Sequence, residues 1–215
     1  MRFRFLALAA LALASIAASA ADTQPASPVI DPDDFVFEHS QAEWAVAYLQ
    51  WIAAFPRGSS PVSDTTGALC GAKQDGDVWF LAGSDGTAPV ERRCAVPAGK
   101  TVFVPIAGTV ERSGNKEPQC GALARIAADH LTRVNELSMT LDGQPVYNLE
   151  SHRQATGDCF APGLRQVPRA TAKTSVADGW YVMLQPLPAG AHTIVVVARF
   201  DATVFSTTYR LDVHQ

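Results

Sequence analysis

The chain has 215 residues, of which 47% are hydrophobic and 18% are charged, with 17 Lys and Arg against 21 Asp and Glu. The formal net charge of −4 is spread along the chain, without a basic face or an arginine-rich run. That pattern lacks the electrostatic footprint of a nucleic-acid-binding protein, so we expect no nucleic-acid partner. The length suits one domain with a sizeable core.

The first twenty residues have the pattern of a secretory signal peptide. Arg2 and Arg4 form a positive n-region, residues 5–14 are apolar, and residues 18–20 form a small-residue cleavage site. The apolar run is shorter than the roughly 18–20 residues of a membrane span, so we predict no transmembrane segment. Cleavage near Ala20 predicts a periplasmic or secreted protein. We further predict a flexible N-terminal segment over 21–38 and a single domain over 39–215.

Four cysteines follow the predicted signal peptide, namely Cys70, Cys94, Cys120 and Cys159. An even number in an exported chain predicts two disulfides. Three pairings are possible. We favour Cys70–Cys94 with Cys120–Cys159, because the segment between the first two resembles a local hairpin. No Cys or His spacing matches a zinc site, and we expect no cofactor.

Two helices are predicted. The first covers about residues 40–55, where Ser40 and Glu43 form a capping box and apolar residues from Trp44 onwards recur at helical spacing. The second covers about residues 121–136, on the same kind of periodicity. Both have an apolar face that is expected to pack on a sheet.

Strand patterns fill most of the remaining chain. Residues 192–200 are continuous and β-branched, which predicts a central strand buried on both faces. Asp178-Gly179 predicts a turn. Residues 78–82, 89–96 and 101–106 predict a three-stranded meander. With about eight strands and two helices, the economical packing is a mainly β, β-sandwich-like single domain.

Several phrases of the sequence occur together. They are VWFLAG from Val78, RCAVPAGK up to Lys100, DGWY up to Tyr181 and LPAGAHTI up to Ile194. In this order they resemble a group of uncharacterised bacterial exported proteins with signal peptides, over most of residues 44–213. The resemblance implies one exported domain. It supplies no activity, so no catalytic residue is carried over.

The histidine best placed for chemistry is His152. Glu150 and Arg153 adjoin it, and Asp158 follows in a long loop that Cys159 is expected to tie down. A general base beside a carboxylate could be assembled from these residues. An extracytoplasmic hydrolase with a site near Glu150, His152 and Asp158 is therefore an alternative. A surface salt-bridge cluster is the simpler interpretation.

Three residues are candidates for ligand binding. Trp180 and Tyr181 are neighbours in a predicted strand, so their side chains point to opposite faces and one of them is expected to be exposed. Arg93 is expected to anchor a buried carboxylate such as Asp64 or Asp77. Binding of an anion is the alternative role for Arg93.

Calcium is a further possibility for the loop carboxylates. Asp75 and Asp77, with Asp85 across the predicted hairpin, could supply oxygen ligands. No glutamate follows at the position that an EF-hand loop requires. Solvated loop carboxylates are therefore the simpler interpretation, and we expect no metal.

No catalytic constellation stands out from these residues. The sequence therefore favours an exported, non-catalytic β-sandwich module that binds a ligand or a protein in the cell envelope or outside the cell. The hydrolase described above is one alternative. An inhibitor or immunity-type partner protein is the other, and it predicts an exposed apolar patch of several hundred Å².

Overall fold

Nine strands form two β-sheets in the computed structural model, which describes residues 27–56, 58–86, 88–113, 120–161 and 174–215. The predicted mainly β, sandwich-like domain with two packed helices is confirmed. The helices are α1 (Gln41–Ala53) and α2 (Cys120–Leu131), with a 3-10 helix at Leu149–His152. The strands are β1 (Val78–Phe80), β2 (Val90–Pro97), β3 (Thr101–Arg112), β4 (Val134–Leu141), β5 (Gln144–Pro145), β6 (Arg153–Ala155), β7 (Ser175–Leu184), β8 (Gly190–Phe200) and β9 (Thr203–His214).

The strand order shows long-range crossovers in both sheets. One sheet has four strands in the order β1-β3-β7-β6, and the other has five in the order β2-β9-β8-β4-β5. The β1–β3 and β2–β9 pairs are parallel, and the other pairs are antiparallel. The predicted meander is wrong, because β1 and β3 lie in one sheet while β2 lies in the other. The predicted signal peptide over 1–20 lies outside the described residues.

Both predicted disulfides are confirmed. Cys70 pairs with Cys94, and Cys120 pairs with Cys159. The first ties the loop before β1 to β2 of the five-stranded sheet and does not close a hairpin. The inward faces of the two sheets form the main core, with side chains such as Val104 and Val182 against Ile194 and Leu211.

Helix α1 adds a third layer on the outer face of the four-stranded sheet. Its capping box is present as predicted, since the Ser40 side chain accepts from the Glu43 N–H and the Glu43 carboxylate accepts from the Ser40 N–H. Tyr48 stacks on Phe103 at 5.4 Å between ring centroids, and Trp51 stacks on Phe80 at 5.7 Å. These rings form a second cluster behind the sheet.

Strand β7 is the doubly buried strand of the fold, since all ten of its residues are buried. One face lies in the core between the sheets, and on the other face Tyr181 and Met183 pack against α1. Asp178-Gly179 is therefore part of a strand, and the predicted turn there is wrong. In β8 buried and half-buried residues alternate, so the predicted burial of residues 192–200 on both faces is also wrong.

Two further boundaries differ from the sequence-based expectation. Helix α2 ends at Leu131, and β4 has begun by Val134, because residues up to Leu141 pair with β8. Residues 27–38 pack on the domain, whereas a flexible segment was predicted there. The Ile30 N–H donates to the Met183 carbonyl (2.9 Å), and Val36 is buried.

Candidate functional site

The candidate site is a groove along the outer edge of β3. β1 pairs with β3 only as far as Phe80 opposite Phe103, and Leu81 then donates one last backbone hydrogen bond to the Phe103 carbonyl (2.9 Å). Beyond that point, the described part of the chain places no strand beside this edge of β3. A cavity of about 340 Å³ follows the open edge.

The way β3 lines the cavity shows that its backbone is reachable. Six consecutive residues, Pro105–Val110, line it. Because successive side chains of a strand point to opposite faces, a cavity on one face would contact only alternate residues. A continuous run therefore places the cavity at the edge of the strand. A register shift between Pro105 and Ala107 lies in the same run, and β-bulges are common at sheet edges.

The hydrogen bonds of β7 establish which β3 backbone groups face outward. Val110 is opposite Ala177 in the ladder, but Ala177 exchanges hydrogen bonds with Thr156 on its other side, through its N–H and its carbonyl (both 2.9 Å). Val110 and Ala177 are therefore a non-hydrogen-bonded pair, and the Val110 N–H and C=O point to the open edge. By the same alternation, Gly108 and Arg112 also present backbone groups there.

Apolar side chains from several elements form the walls of the groove. Leu49 comes from α1, Val62 from the following loop, Val196 and Phe200 from β8, and Phe205 from β9. The rings of Phe200 and Phe205 meet edge-on, with centroids 5.4 Å apart. The groove is thus suited to apolar side chains beside an exposed backbone edge.

Tyr48 and Tyr181 contribute phenol groups to the lining. The Tyr48 hydroxyl accepts a hydrogen bond from the Gly83 N–H (3.1 Å). The Tyr181 hydroxyl lies against a facing pair of glycines, since a Cβ on Gly179 would come within 2.9 Å of it and one on Gly108 within 3.0 Å. Burial raises the pKa of both tyrosines, so both phenols stay neutral at physiological pH.

Charged side chains on this part of the surface are paired. His130 and Arg133 line the groove. Glu111 lies 2.8 Å from the Nδ1 atom of His130 and also accepts from the Thr109 hydroxyl (3.0 Å). Arg133 donates to Asp201 (2.7 Å). Both signs of charge are present, so the groove has no strong preference for an anion or a cation.

Of the residues of the predicted hydrolase site, only His152 lines a second, larger cleft. This cleft of about 900 Å³ lies between residues 27–32 and the β4–β5 hairpin, but His152 is itself 4% exposed. Its Nδ1 atom is buried, and no described residue gives it a hydrogen-bond partner. Burial lowers the pKa of His152, while the charge of Asp31 opposes that shift.

The carboxylates predicted to assist His152 are exposed. Glu150 offers its backbone carbonyl to the Trp180 Nε1–H (3.3 Å), and Asp158 lies on the surface near Cys159. Arg153 makes a two-pronged ion pair with Asp178 (2.9 and 2.8 Å), which raises the pKa of the guanidinium. The described structure thus gives the His152 Nδ1 atom no carboxylate to orient it for general-base chemistry.

None of the three predicted ligand-binding residues has the surroundings that were expected for it. Trp180 and Tyr181 are both buried, so the prediction that one of them is exposed is wrong. The reason is that β7 is covered on both faces. Arg93 is exposed, with 80% of its side chain accessible, and its nearest acid is Glu91 at 3.9 Å. It therefore does not anchor Asp64 or Asp77.

The neighbouring Arg92 was not among the predicted site residues, yet it is only 1% exposed. Because β2 alternates, Arg92 shares the inward face with Cys94, and that parity was the signal that could have identified it. The Arg92 guanidinium donates to four backbone carbonyls, those of Val62, Asp64, Ala82 and Gly83. The Tyr209 hydroxyl donates to the Ala82 carbonyl as well (2.7 Å).

The carboxylates considered for calcium do not form a metal site. Asp77 pairs with Lys100 at 3.4 Å, and Asp75 and Asp85 lie on the surface. Within the described ranges, no group of three or more His, Cys, Asp or Glu side chains is arranged to hold a metal ion.

Comparison with known proteins assigns no family. No protein-family model matches the chain, and no curated protein matches it. Several solved structures show distant likeness, among them the following three. Amebosin has a TM-score of 0.19 at 10% identity, covering 57% of this chain and 89% of its own. PbICP-C in complex with falcipain-2 has a TM-score of 0.28 at 11% identity, covering 65% of this chain and 100% of its own. The Dscam1 Ig7 domain has a TM-score of 0.19 at 14% identity, covering 60% of this chain and 87% of its own.

TM-scores this low do not assign the chain to any of these families. Separately, none of the helices in the described ranges is long and apolar enough to cross a membrane.

Proposed function

We propose that the protein is a non-catalytic binding module that takes an extended segment of a partner polypeptide along the open edge of β3. The observation that carries the proposal is the continuous lining of the cavity by Pro105–Val110, together with the outward-facing backbone at Gly108 and Val110. An exposed strand edge is a template for one more strand. In this mode, main-chain hydrogen bonds supply affinity, and pockets for alternate side chains supply specificity.

The groove walls favour a particular kind of segment. An added strand would place one set of alternate side chains towards Leu49 on the α1 side and the other set towards Phe200 and Phe205 of the five-stranded sheet, and all three accept apolar groups. The Glu111 carboxylate is already paired with His130, and the Arg133 guanidinium is already paired with Asp201. We therefore propose an extended, mainly apolar segment without a block of charge as the ligand.

We place this activity outside the cytoplasm. Two disulfides support this location, because disulfides persist in oxidising compartments. The predicted signal peptide over 1–20 and the resemblance to exported bacterial proteins support it as well. The mass of the protein recovered from cells tests the location directly, since export with processing would remove residues 1–20.

Peptides selected on the purified protein from a phage-displayed random library provide the probe for strand addition. Their affinity should fall at least about tenfold, or ~1.4 kcal/mol, for Val110→Pro. Proline removes an N–H that points to the open edge and leaves the hydrogen bonds to β7 intact. Val110→Ala is the matched control, since it shortens the same side chain and keeps the N–H. It should bind within a few fold of the original protein.

Methylation of alternate backbone nitrogens in a selected peptide gives the reciprocal test. Binding should be lost for one set of positions and kept for the other, because a strand pairs through every second residue. Equal binding by Val110→Pro and the original protein would show that strand addition at β3 is wrong. Tolerance of methylation at every position would show the same.

A further inference from the structure

A tight turn just before α1 presents two phenylalanines to solvent. Val36 and His39 exchange both backbone hydrogen bonds (2.9 and 3.1 Å), which makes Phe37 and Glu38 the two central residues of a hairpin turn. Both have positive φ, at 49° and 65°. Turns of this geometry favour Asn-Gly, so a phenylalanine and a glutamate hold an unfavourable conformation here.

The turn is fixed from below. The Val36 side chain is buried, and the Trp44 Nε1–H donates to the Val36 carbonyl (2.8 Å). The Phe37 ring meets Trp44 edge-on, with centroids 6.4 Å apart. The backbone of the turn and one face of Phe37 are therefore held in place by α1. Backbone strain that the surroundings maintain is typical of functional positions.

The outward side of this turn is apolar at its centre and acidic around it. Phe35 is 71% exposed and Phe37 51% exposed. Residues 31–56 contain five acids and neither Lys nor Arg. Asp33 and Asp34 precede Phe35 in the sequence, Glu38 follows Phe37, and all three acids are exposed. Rigid exposed aromatic anchors inside a polar rim are the usual energetic centre of a protein interface.

We propose that the turn over Phe35–His39 docks a second protein, whose surface offers an apolar pocket rimmed by Lys and Arg. The acidic rim selects the partner's charge, because complementary potentials guide association and opposed charges exclude it. The same rim disfavours a membrane surface, since anionic lipids would repel it. The fixed turn lowers the ordering cost of binding. This inference does not depend on strand addition at β3.

Photo-cross-linking from the turn tests the proposal. A photoreactive phenylalanine replaces Phe35 in the full chain, and in a control it replaces Tyr147, an aromatic residue that is 74% exposed elsewhere on the surface. A protein cross-linked from position 35 and not from 147 is identified, purified and titrated with the variants. Phe35→Ser with Phe37→Ser should weaken binding at least about tenfold, while Tyr147→Ser should leave it unchanged.

The charges of the rim are tested on the same purified partner. Asp33→Asn with Asp34→Asn and Glu38→Gln should weaken binding several-fold and should flatten its dependence on salt. Equal cross-linking from positions 35 and 147 would overturn the proposal, as would equal affinity of the double Phe variant and the original protein. Cosedimentation with phosphatidylcholine vesicles that is lost in the double Phe variant would also overturn it, since the surface would then bind lipid.

Discussion

At the residue scale, Arg92 and Arg93 are the most informative pair in the protein. They are neighbours in β2, yet one is buried among backbone carbonyls and the other is exposed. The two side chains differ because successive side chains of a strand point to opposite faces of the sheet. The same rule had been applied to Trp180 and Tyr181 when the site residues were predicted, but not to Arg92 and Arg93. Arg92 holds the loops on either side of β1, because it donates to the Val62 carbonyl in the loop before β1 and to the Ala82 carbonyl in the loop after it.

Arg92→Leu should therefore lower the free energy of unfolding by about 3 kcal/mol or more, because it leaves several buried carbonyls without donors. Arg93→Leu is the matched control and should change it by less than about 0.5 kcal/mol. Urea unfolding of the two variants measures both effects. Similar midpoints for the two would contradict the role assigned to Arg92.

His192 gives stability a defined pH dependence. Its ring nitrogens lie 2.7 Å from the Asp142 carboxylate and 2.9 Å from the Pro188 carbonyl, so both face acceptors. Partial burial lowers the pKa of His192, but the hydrogen bonds to Asp142 and Pro188 outweigh it, and the net shift is upward. The protonated ring is thus favoured in the folded state. Its contribution is fully present below the unfolded pKa of about 6.5 and is lost as pH rises through the higher folded value.

The destabilisation caused by His192→Gln should accordingly be largest near pH 5.5 and smaller near pH 9. Chemical unfolding of the original and variant proteins at each pH gives the difference directly. A constant difference across this range would show that folding does not raise the pKa of His192.

At the element scale, sequence signals predicted the structure correctly where the interacting residues are close together in the sequence. The capping box of α1 lies within four residues, and it predicted the start of that helix. The turn signal of Asp178-Gly179 was overridden, because Gly179 faces Gly108 across the β3–β7 ladder. A Cβ on Gly179 would lie 2.6 Å from the Ala107 carbonyl oxygen. This glycine serves a close approach of two strands.

Gly179→Ala should destabilise the protein by about 2–3 kcal/mol, since a methyl group forced into this ladder must displace backbone. Gly157→Ala is the control, because a Cβ there meets no atom within 4 Å. That change should stay within about 0.5 kcal/mol. Thermal unfolding compares the two, and equal melting temperatures would mean that the ladder can open without cost.

At the scale of the whole molecule, the fold class could be predicted from composition and periodicity. Both disulfide pairings were also predicted correctly, although the hairpin that suggested the Cys70–Cys94 pair is absent from the described fold. The strand order could not be predicted, because the pairing of β2 with β9 joins residues more than a hundred positions apart and leaves no local pattern. The candidate groove was missed for the same reason. It exists because β1 is three residues long while β3 is twelve, and only the assembled sheet exposes that difference.

Residues 27–34 also form part of the folded domain. The Gln185 N–H donates to the Pro28 carbonyl (2.7 Å), Ile30 bonds to Met183, and Val29 packs on the core. A chain that begins at Phe35 should therefore unfold at a free energy about 2 kcal/mol lower than one that begins at Ser27. Denaturant titration of both chains measures this. Coincident unfolding curves would show that residues 27–34 contribute nothing.

The position of β9 also determines when the fold can be completed. In the described five-stranded sheet, β2 pairs only with β9, and β9 extends to His214. During synthesis β2 must therefore wait for a strand that lies more than a hundred residues later in the chain before it finds its neighbour. Contacts of such high sequence separation fold slowly. Without β9, β2 would have no strand beside it in the described sheet, and β8 would keep only β4 as its neighbour.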